Sequence, residues 1–368
     1  MSETHRRTPA RKPRALALRP GVCQTRPSRT TPHPKGPPRP MSDATLDILG
    51  IGNAIVDVQA RAEDDFLAKR GLDKGAMRLI DAGEAEALYA AMGPGVESSG
   101  GSAANTCAVA AALGARVGYL GKVAADPLGR VFAHDIRAAG VRFPTAPLEG
   151  GEPTARCLIL VTPDGQRTMN TFLGAAVRFG EADVDPAEVA GARILYLEGY
   201  LFDPPAAQAA FRAAARAAHE AGRRVALTLS DPFCVHRHRD AFRRLVHEEV
   251  DILFANEAEA LALYGAESFE EAARRASSDV ALAALTRSER GSVLLADGER
   301  HEVAAAPAKV VDTTGAGDAY AAGVLAALAR GLDLSECGRW GSVAAAEVIG
   351  HFGARPQSDL KRLLGAGA

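Results

Sequence analysis

An alternation of two kinds of segment begins at Leu46 and constrains the fold of this 368-residue chain more than any other feature. Short apolar and β-branched runs alternate with longer Ala-rich stretches in which apolar residues recur with helical spacing. The predicted strands are 46–52, 117–123, 194–198, 225–229, 252–255, 283–286 and 292–296. The predicted helices are 105–113, 127–139, 205–221, 258–264, 316–330 and 335–349. This alternation predicts an α/β fold, with a doubly wound, mostly parallel sheet and helices on both faces.

Two segments interrupt the alternation, at about residues 55–80 and 154–173. The second resembles a β-hairpin, because the arms 157–161 and 167–172 flank Thr162-Pro163-Asp164-Gly165. That tetrapeptide has proline and glycine at the positions where a type I turn favours them. We therefore expect a small accessory β-sheet, which could act as a lid over a binding site.

The first 40 residues differ in composition from the rest of the chain. They contain nine prolines and ten Lys or Arg residues but a single acid, Glu3, which predicts a disordered basic extension. We expect the globular domain to span residues 41–368. In that part acidic residues outnumber basic ones by 44 to 33, a balance that disfavours nucleic acid as a partner.

Cysteine usage and hydropathy bear on the cellular compartment. The five cysteines form no CxxC pair, which favours free thiols in a reducing compartment over a disulfide framework or a zinc site. No apolar run approaches the roughly 18 residues that span a bilayer. The N-terminus lacks the apolar region of a secretory signal. We expect a cytoplasmic protein with no membrane partner.

The strongest functional signal is DTTGAGD, residues 312–318, which leads into a long Ala-rich helix. The N–H groups of Gly315, Ala316 and Gly317, together with the helix dipole, predict an anion site that glycine lets a phosphate approach closely. Asp318 would repel that anion unless a hydroxyl lay between them, as it would for a general base of phosphoryl transfer. The alternative is a structural turn followed by an acid that the dipole favours. No P-loop motif GxxxxGK[ST] occurs.

Two upstream segments place polar residues beside glycines. Gly100 and Gly101 precede an Ala-rich helix that carries Asn105, whose amide both donates and accepts hydrogen bonds. Asn53 and Asp57 follow the first predicted strand, and one carboxylate can accept from two hydroxyls. These five residues are the predicted substrate site; the alternatives are ordinary turns. Isoleucine stands where the dinucleotide fingerprint GxGxxG needs its third glycine, which disfavours a dehydrogenase.

A fourth polar segment, Asn256-Glu257-Ala258-Glu259, follows the predicted strand 252–255. Polar residues at the carboxyl end of an α/β strand lie where such folds bind ligands. Asn256 could contact a phosphate oxygen, and Glu259 a water bound to Mg²⁺. The alternative is a cluster of acids at a helix start.

Together these segments resemble the ribokinase family, also called the PfkB carbohydrate kinases, over about residues 46–360. DTTGAGD is similar to its C-terminal signature, GGSAAN to its N-terminal signature and NEAE to its NxxE motif. The resemblance implies that Asp318 is the catalytic base and that residues 315–317 form the anion hole. It also implies that Thr286 contacts ATP and that Arg167, on the predicted hairpin, reaches the transferring phosphate. A salt bridge of Arg167 on the surface is the alternative.

Within the family the chain is most similar to adenosine kinases, in GNAIVDV, RTMN, LSDPF and HFGARP. Ser102 stands where ribokinases tend to carry lysine, which disfavours free ribose. The resemblance implies phosphorylation of a hydroxymethyl group with ATP and Mg²⁺, with adenosine converted to AMP as the leading reaction. It leaves dependence on a monovalent cation open, along with assembly as a monomer or homodimer. The alternatives are a kinase of a free sugar or sugar acid and a non-catalytic nucleotide-binding protein.

Overall fold

The computed structural model describes residues 44–365, so the predicted extension of residues 1–40 lies outside the described part. The strands are β1 (Leu46–Ile51), β2 (Ile55–Arg61), β3 (Met77–Leu79), β4 (Gly95–Gly100), β5 (Val117–Leu120), β6 (Val141–Arg142), β7 (Ala155–Val161), β8 (Arg167–Phe172), β9 (Ala192–Glu198), β10 (Arg224–Thr228), β11 (Ile252–Asn256), β12 (Leu282–Thr286), β13 (Ser292–Ala296) and β14 (Glu299–Val303). The α-helices are α1 (Asp64–Lys69), α2 (Ala82–Ala91), α3 (Ser102–Ala112), α4 (Pro127–Ala138), α5 (Pro186–Ala190), α6 (Pro205–Glu220), α7 (Pro232–Glu249), α8 (Glu257–Tyr264), α9 (Phe269–Asp279), α10 (Ala316–Ala329), α11 (Leu334–Val348) and α12 (Leu360–Leu363).

Nine of the described strands form one sheet, in the order β14-β13-β12-β11-β10-β9-β1-β5-β6. Every neighbouring pair from β12 to β6 is parallel, whereas β13 and β14 run antiparallel at one edge. The predicted mostly parallel sheet is therefore confirmed. The strand order reverses next to β1, and open α/β sheets bind ligands outside the carboxyl ends of their strands at such a point.

Helices cover both faces of this sheet because side chains of its central strands alternate between two apolar layers. Ile194 and Tyr196 of β9 pack in the layer that contains α3, α10 and α11. Leu195 and Leu197 of the same strand pack in the layer that contains α6 to α9. Burial on both faces explains why these strands read as continuous apolar runs in the sequence.

A second, smaller sheet has the strand order β3-β8-β7-β2-β4. Its hairpin β7–β8 is antiparallel, and the Gly165 N–H closes the turn by donating to the Thr162 carbonyl at 2.8 Å. Leu158 and Leu160 of β7 pack into the core, so the alternate residues Cys157 and Ile159 face the other way, toward a cavity. The sheet thus presents one face to whatever occupies that cavity.

The predicted elements of the main sheet match the observed ones closely, but parts of the fold differ from expectation. Strand β4 lies outside the predicted accessory segments and ends at Gly100, and α3 begins at Ser102 rather than at residue 105. Helices α7 and α9 are absent from the predicted set, although the buried residues of α9 (Phe269, Ala272, Ala273 and Ala276) do recur with helical spacing. Within residues 44–365, no helix has both the length and the apolar character to cross a membrane.

Candidate active site

A cavity of about 750 Å³ lies where the carboxyl ends of the main-sheet strands meet the smaller sheet. The main sheet contributes a residue at or just after each of five adjacent strands: Asn53, Tyr200, Ser230, Asn256 and Thr286. The smaller sheet contributes residues of β2, β3, β7 and β8. The cavity therefore occupies the ligand position that the sheet topology predicts.

The DTTGAGD segment forms a tight turn into α10 at one side of the cavity. Gly315 is the N-cap, with φ 75° in the left-handed region, and a Cβ there would lie 2.6 Å from that of Ala354. A Cβ on Gly317 would meet no atom within 4 Å, so this glycine leaves open space above the helix start. The Ala316 N–H donates to the Thr313 carbonyl at 3.2 Å. Of the three predicted anion donors, only those of Gly315 and Gly317 thus lack an acceptor within residues 44–365.

Asp318 lies in the first turn of α10, and two donors from α3 fix its carboxylate. The Ser102 hydroxyl donates to Oδ1 at 2.6 Å and the Asn105 amide to Oδ2 at 3.3 Å. Burial raises the pKa of Asp318 above its usual value, while the two hydrogen bonds and the charge of Arg355 oppose the rise. A carboxylate with a raised pKa, fixed beside an anion site, is suited to accept a proton.

Asn53 is positioned by Glu198, a buried residue at the end of β9 that the sequence analysis did not single out. Glu198 Oε1 accepts from the backbone N–H of Asn53 at 3.1 Å and from its Nδ2 at 2.9 Å. Glu198 Oε2 accepts from the Ala103 N–H at 2.7 Å, which satisfies a donor at the start of α3. Burial raises the pKa of Glu198 to about 7, against the effect of these donors. Asn53 therefore keeps its side-chain oxygen and the second hydrogen of its amide for a ligand.

Asp57 on β2 is a diagonal neighbour of Gly100 on β4, since the strands pair Gly100 with Ile55 and Asp57 with Ser98. A Cβ on Gly100 would come within 2.3 Å of Asp57 Oδ2, so glycine is needed there to make room for the carboxylate. Gly100 does not line the cavity, whereas Asp57, Gly101 and Asn105 do. Burial raises the pKa of Asp57 to about 6, and the charges of Arg355 and Arg167 oppose the rise.

Asn256 and Glu259 form a reciprocal cap at the start of α8. The Asn256 N–H and Nδ2 donate to the Glu259 carboxylate at 3.0 and 2.7 Å, and the Glu259 N–H donates back to Asn256 Oδ1 at 2.8 Å. Burial raises the pKa of Glu259 to about 7; the Asn256 backbone N–H opposes that rise, and the charges of Asp231 and Asp318 add to it. The alternative predicted for this segment, acids at a helix start, is therefore present. Glu259 and Thr286 also line the cavity.

This side of the cavity suits a divalent cation that arrives with a phosphate ligand. Asp231, Glu259 and Asp318 all line it, and their mutual repulsion would be relieved by positive charge. Within the described residues no group of three or more His, Cys, Asp or Glu could hold a metal ion alone. Mg²⁺ needs no such group, because it keeps several waters and binds largely through substrate phosphates.

Arg167 on β8 joins the smaller sheet to the DTTGAGD turn. Its Nη1 lies 2.8 Å from Asp312 Oδ2 and donates to the Thr314 hydroxyl at 2.7 Å. The side chain is only 9% exposed, and within the described residues Nε and Nη2 have no hydrogen-bond partner. Arg167 does not line the cavity. The ion pair predicted as its alternative role is therefore present, but buried rather than on the surface.

The structure adds four residues to the predicted set. Ser102 holds Asp318, and Glu198 holds Asn53. Glu198 had a detectable signal, since it is an acid at the end of an apolar strand. Tyr200 and Phe233 bring aromatic rings to the cavity from segments after β9 and β10, for which periodicity gives no signal.

Comparison with known proteins places the chain in a class and then in a family. A family model described as pfkB family carbohydrate kinase matches residues 81–361. The structure of adenosine kinase from Sinorhizobium meliloti is 54% identical, with a TM-score of 0.81 and coverage of 88% of this chain and 100% of that chain. That of a probable sugar kinase protein from Rhizobium etli CFN 42 is 49% identical, with a TM-score of 0.82 and coverage of 88% and 98%.

A curated relative broadens the range of acceptors. The cytidine kinase of Thermococcus kodakarensis is 32% identical over 267 residues, which cover 70% of this chain and 90% of that protein. The comparisons define the protein as a kinase that acts on a nucleoside or a sugar. It belongs to the pfkB family of carbohydrate kinases.

Proposed function

We propose that this protein transfers the γ-phosphoryl group of ATP to the hydroxymethyl group of a nucleoside, with adenosine the leading acceptor. One observation carries the choice of a nucleoside: large apolar and aromatic side chains line the cavity that holds Asp318. Met77 and Leu79 of β3 are 50% and 57% exposed, and Phe233 is 77% exposed. Such surfaces suit a planar base, whereas a free sugar would present hydroxyls to them.

Charge at the cavity also favours an uncharged acceptor. Among the described lining residues, the cationic side chains are those of Arg78 and Arg237. Arg78 pairs with Glu84 at 3.2 Å, and Arg237 pairs with Asp203 at 2.9 Å. A sugar acid or a sugar phosphate needs a cation to balance its own charge, and these two are already balanced.

The proposed reaction begins with a hydroxymethyl group held between Asp318 and the N-terminus of α10. Asp318 accepts the hydroxyl proton as the oxygen attacks the γ-phosphorus and the bond to the bridging oxygen of ADP breaks. Ser102 and Asn105 hold the carboxylate in place, so the base needs no reorientation during the reaction. Asn53, Asp57 and Asn105 would bind ribose hydroxyls.

Charge on the transferring phosphoryl group would be stabilised by backbone N–H groups at the start of α10. The free N–H groups of Gly315 and Gly317 would take this role, and the helix dipole would add to it. The unpaired Nε and Nη2 of Arg167 are two further donors close to the same turn. Mg²⁺ bound with ATP would neutralise phosphate charge, with Glu259 contacting one of its waters and Asn256 and Thr286 contacting the nucleotide.

The proposal is tested by ADP release from Mg-ATP with adenosine, cytidine, inosine, guanosine, ribose, ribose 1-phosphate, fructose and 2-keto-3-deoxygluconate. We expect turnover to be fastest with adenosine. 5′-Deoxyadenosine, which lacks the reacting hydroxyl, is the matched control and should inhibit competitively without ADP release. Faster turnover with a free sugar or a charged sugar would contradict the nucleoside assignment. ATP binding without turnover on any acceptor would contradict a kinase.

Two other properties remain predictions from the sequence. We propose a cytoplasmic location and assembly as a monomer or homodimer. Light scattering coupled to gel filtration measures the assembly state directly.

A further inference from the structure

Arg355 reaches the site from the segment between α11 and α12, and it contacts residues on either side of the distant glycine pair Gly100 and Gly101. Its Nη2 donates to the Ser99 carbonyl at 2.6 Å and to the Ser99 hydroxyl at 3.0 Å. Its Nη1 donates to the Ala104 carbonyl at 3.1 Å. One planar guanidinium thus joins the last residues of β4 to the first turn of α3.

The backbone between these two carbonyls has an unusual conformation. Gly101 has φ 95°, and a Cβ there would lie 2.2 Å from the Asn53 carbonyl oxygen. The same turn carries Ser102 and leads to Asn105, the two donors that hold Asp318. Ser99 is fixed from its other side by Asp135, whose Oδ2 accepts from the Ser99 N–H at 2.7 Å and from its hydroxyl at 2.5 Å. A flexible glycine pair is thereby held at both ends.

The charges around Arg355 are mostly negative. Asp135 of α4, Asp57 of β2 and Asp318 of α10 face it, as does the Cys107 thiol of α3. Within residues 44–365, Arg355 forms no ion pair with any of these acids, since its hydrogen bonds go to Ser99 and Ala104. Its positive charge therefore acts on the carboxylates of Asp318 and Asp57 without direct contact.

We propose that Arg355 is a positioning residue for the transfer reaction, which clamps the turn at Gly100 and Gly101 and supplies the positive charge facing Asp318 and Asp57. This inference rests on the proposed function, because it gives Asp318 the role of base. Arg355 itself does not line the cavity. It acts through the Ser102 and Asn105 hydrogen bonds and through its charge.

The clamp and the charge have separable consequences. The charge of Arg355 lowers the pKa of both Asp318 and Asp57, against the effect of burial. The other charges that act on Asp57 are those of Arg167 and Asp318. The charge of Asp318 in turn raises the pKa of four neighbouring groups, those of Glu198, Glu259, Tyr196 and Tyr200. Without the cation, Asp318 would stay protonated to higher pH, and a protonated base cannot accept the hydroxyl proton.

The test compares Arg355→Met and Arg355→Lys with Arg330→Met. Arg330 is the matched control, because it donates to the Leu113 carbonyl at 2.8 Å at the opposite end of α3 and faces Trp340. The pH dependence of kcat/KM is measured for each, with whichever acceptor the wild-type protein uses. Thermal unfolding reports whether each variant folds.

We expect Arg355→Met to move the acid limb of kcat/KM up by about one pH unit, the effect of losing a nearby opposite charge. Arg355→Lys should keep the acid limb of kcat/KM at the wild-type pH, because lysine keeps the positive charge. Its kcat/KM should fall about tenfold, because lysine lacks the planar guanidinium that contacts both Ser99 and Ala104. Arg330→Met should keep the wild-type limb. If Arg355→Met does not fold, Arg355→Lys alone carries the test.

Two outcomes would overturn the inference: a wild-type limb in a folded Arg355→Met, or wild-type kcat/KM in Arg355→Lys. Neither outcome would bear on the proposed function, which depends on wild-type turnover and on Asp318. An inactive wild-type protein is the different result that would remove the function itself. In that case the pH dependence of thermal unfolding, compared between the wild type and Arg355→Met, would still report the charge effect on Asp57.

Discussion

The wall of the cavity that carries Asp318 and the wall formed by β3 differ in how their side chains are held. On the first, Ser102 and Asn105 fix Asp318, while Glu198 fixes Asn53 and the start of α3. On the second, the large apolar side chains of Met77 and Leu79 line the cavity and are half exposed. We call these the reaction wall and the base wall.

This difference predicts which kinetic constant each wall should control. Hydrogen bonds with fixed geometry preorganise groups for a transition state, so disturbing them should lower kcat. Apolar surfaces bind ground state and transition state alike, so disturbing them should raise KM and leave kcat nearly unchanged. Mutations on each wall test whether kcat and KM respond separately.

The largest effect is expected at the base itself. Asp318→Asn keeps the size and the hydrogen-bonding reach of the side chain but cannot accept the proton. We expect kcat to fall by ~10²–10⁴, the usual contribution of a general base, while KM for the acceptor changes little. Steady-state kinetics with saturating Mg-ATP measure both constants. Near-normal kcat in this variant would remove Asp318 from the mechanism.

The next largest effect is expected from the backbone of the reaction wall. Gly101→Ala would place a Cβ 2.2 Å from the Asn53 carbonyl oxygen, at φ 95°. We expect kcat/KM to fall by roughly 100-fold, because a shift of about 1 Å in Ser102 and Asn105 misplaces the base. Gly298→Ala is the control, since Gly298 has φ 80° but open space around it. Equal losses in the two variants would mean that backbone strain alone, and not the site, is responsible.

The reaction wall was largely predictable from the sequence, and the base wall was not. The main-sheet strands and the DTTGAGD turn have strong local signals, because buried strands read as apolar runs and phosphate-binding turns need glycine. Arg355 and Glu198 act on residues distant in the chain, so no local pattern marks their partners. Strand β3 has three exposed residues in a short segment, which gives periodicity too little to detect.

A smaller effect, of a different kind, is expected on the base wall. Leu79→Ser removes half-exposed apolar surface, so we expect KM for adenosine to rise about tenfold, with kcat within a factor of two. Val96→Ser is the control, because Val96 is 72% exposed on β4 but does not line the cavity. If Leu79→Ser lowered kcat instead, the base wall would take part in the reaction step and the separation would fail.

The smallest effect is expected on stability at Asp57, the carboxylate that the smaller sheet brings into the cavity. Its pKa is raised from 3.8 to about 6 by burial, so the native state binds more protons than the unfolded state between these values. Ionisation therefore destabilises the native state progressively as pH rises through this window, and the full cost is present above about pH 6. Asp57→Asn should unfold a few degrees above the wild type at pH 8 and at the same temperature near pH 4.

Calorimetric unfolding from pH 4 to 8 measures this difference, with Asp65→Asn as an exposed control for net charge. The same Asp57→Asn protein should bind adenosine more weakly, because it loses an acceptor for the ribose hydroxyls. If Asp57→Asn is more stable but binds adenosine more weakly, then Asp57 serves binding and lowers the stability of the native state. A variant that is no more stable at pH 8 would mean that Asp57 is solvated within the cavity, so that the smaller sheet leaves it open to water.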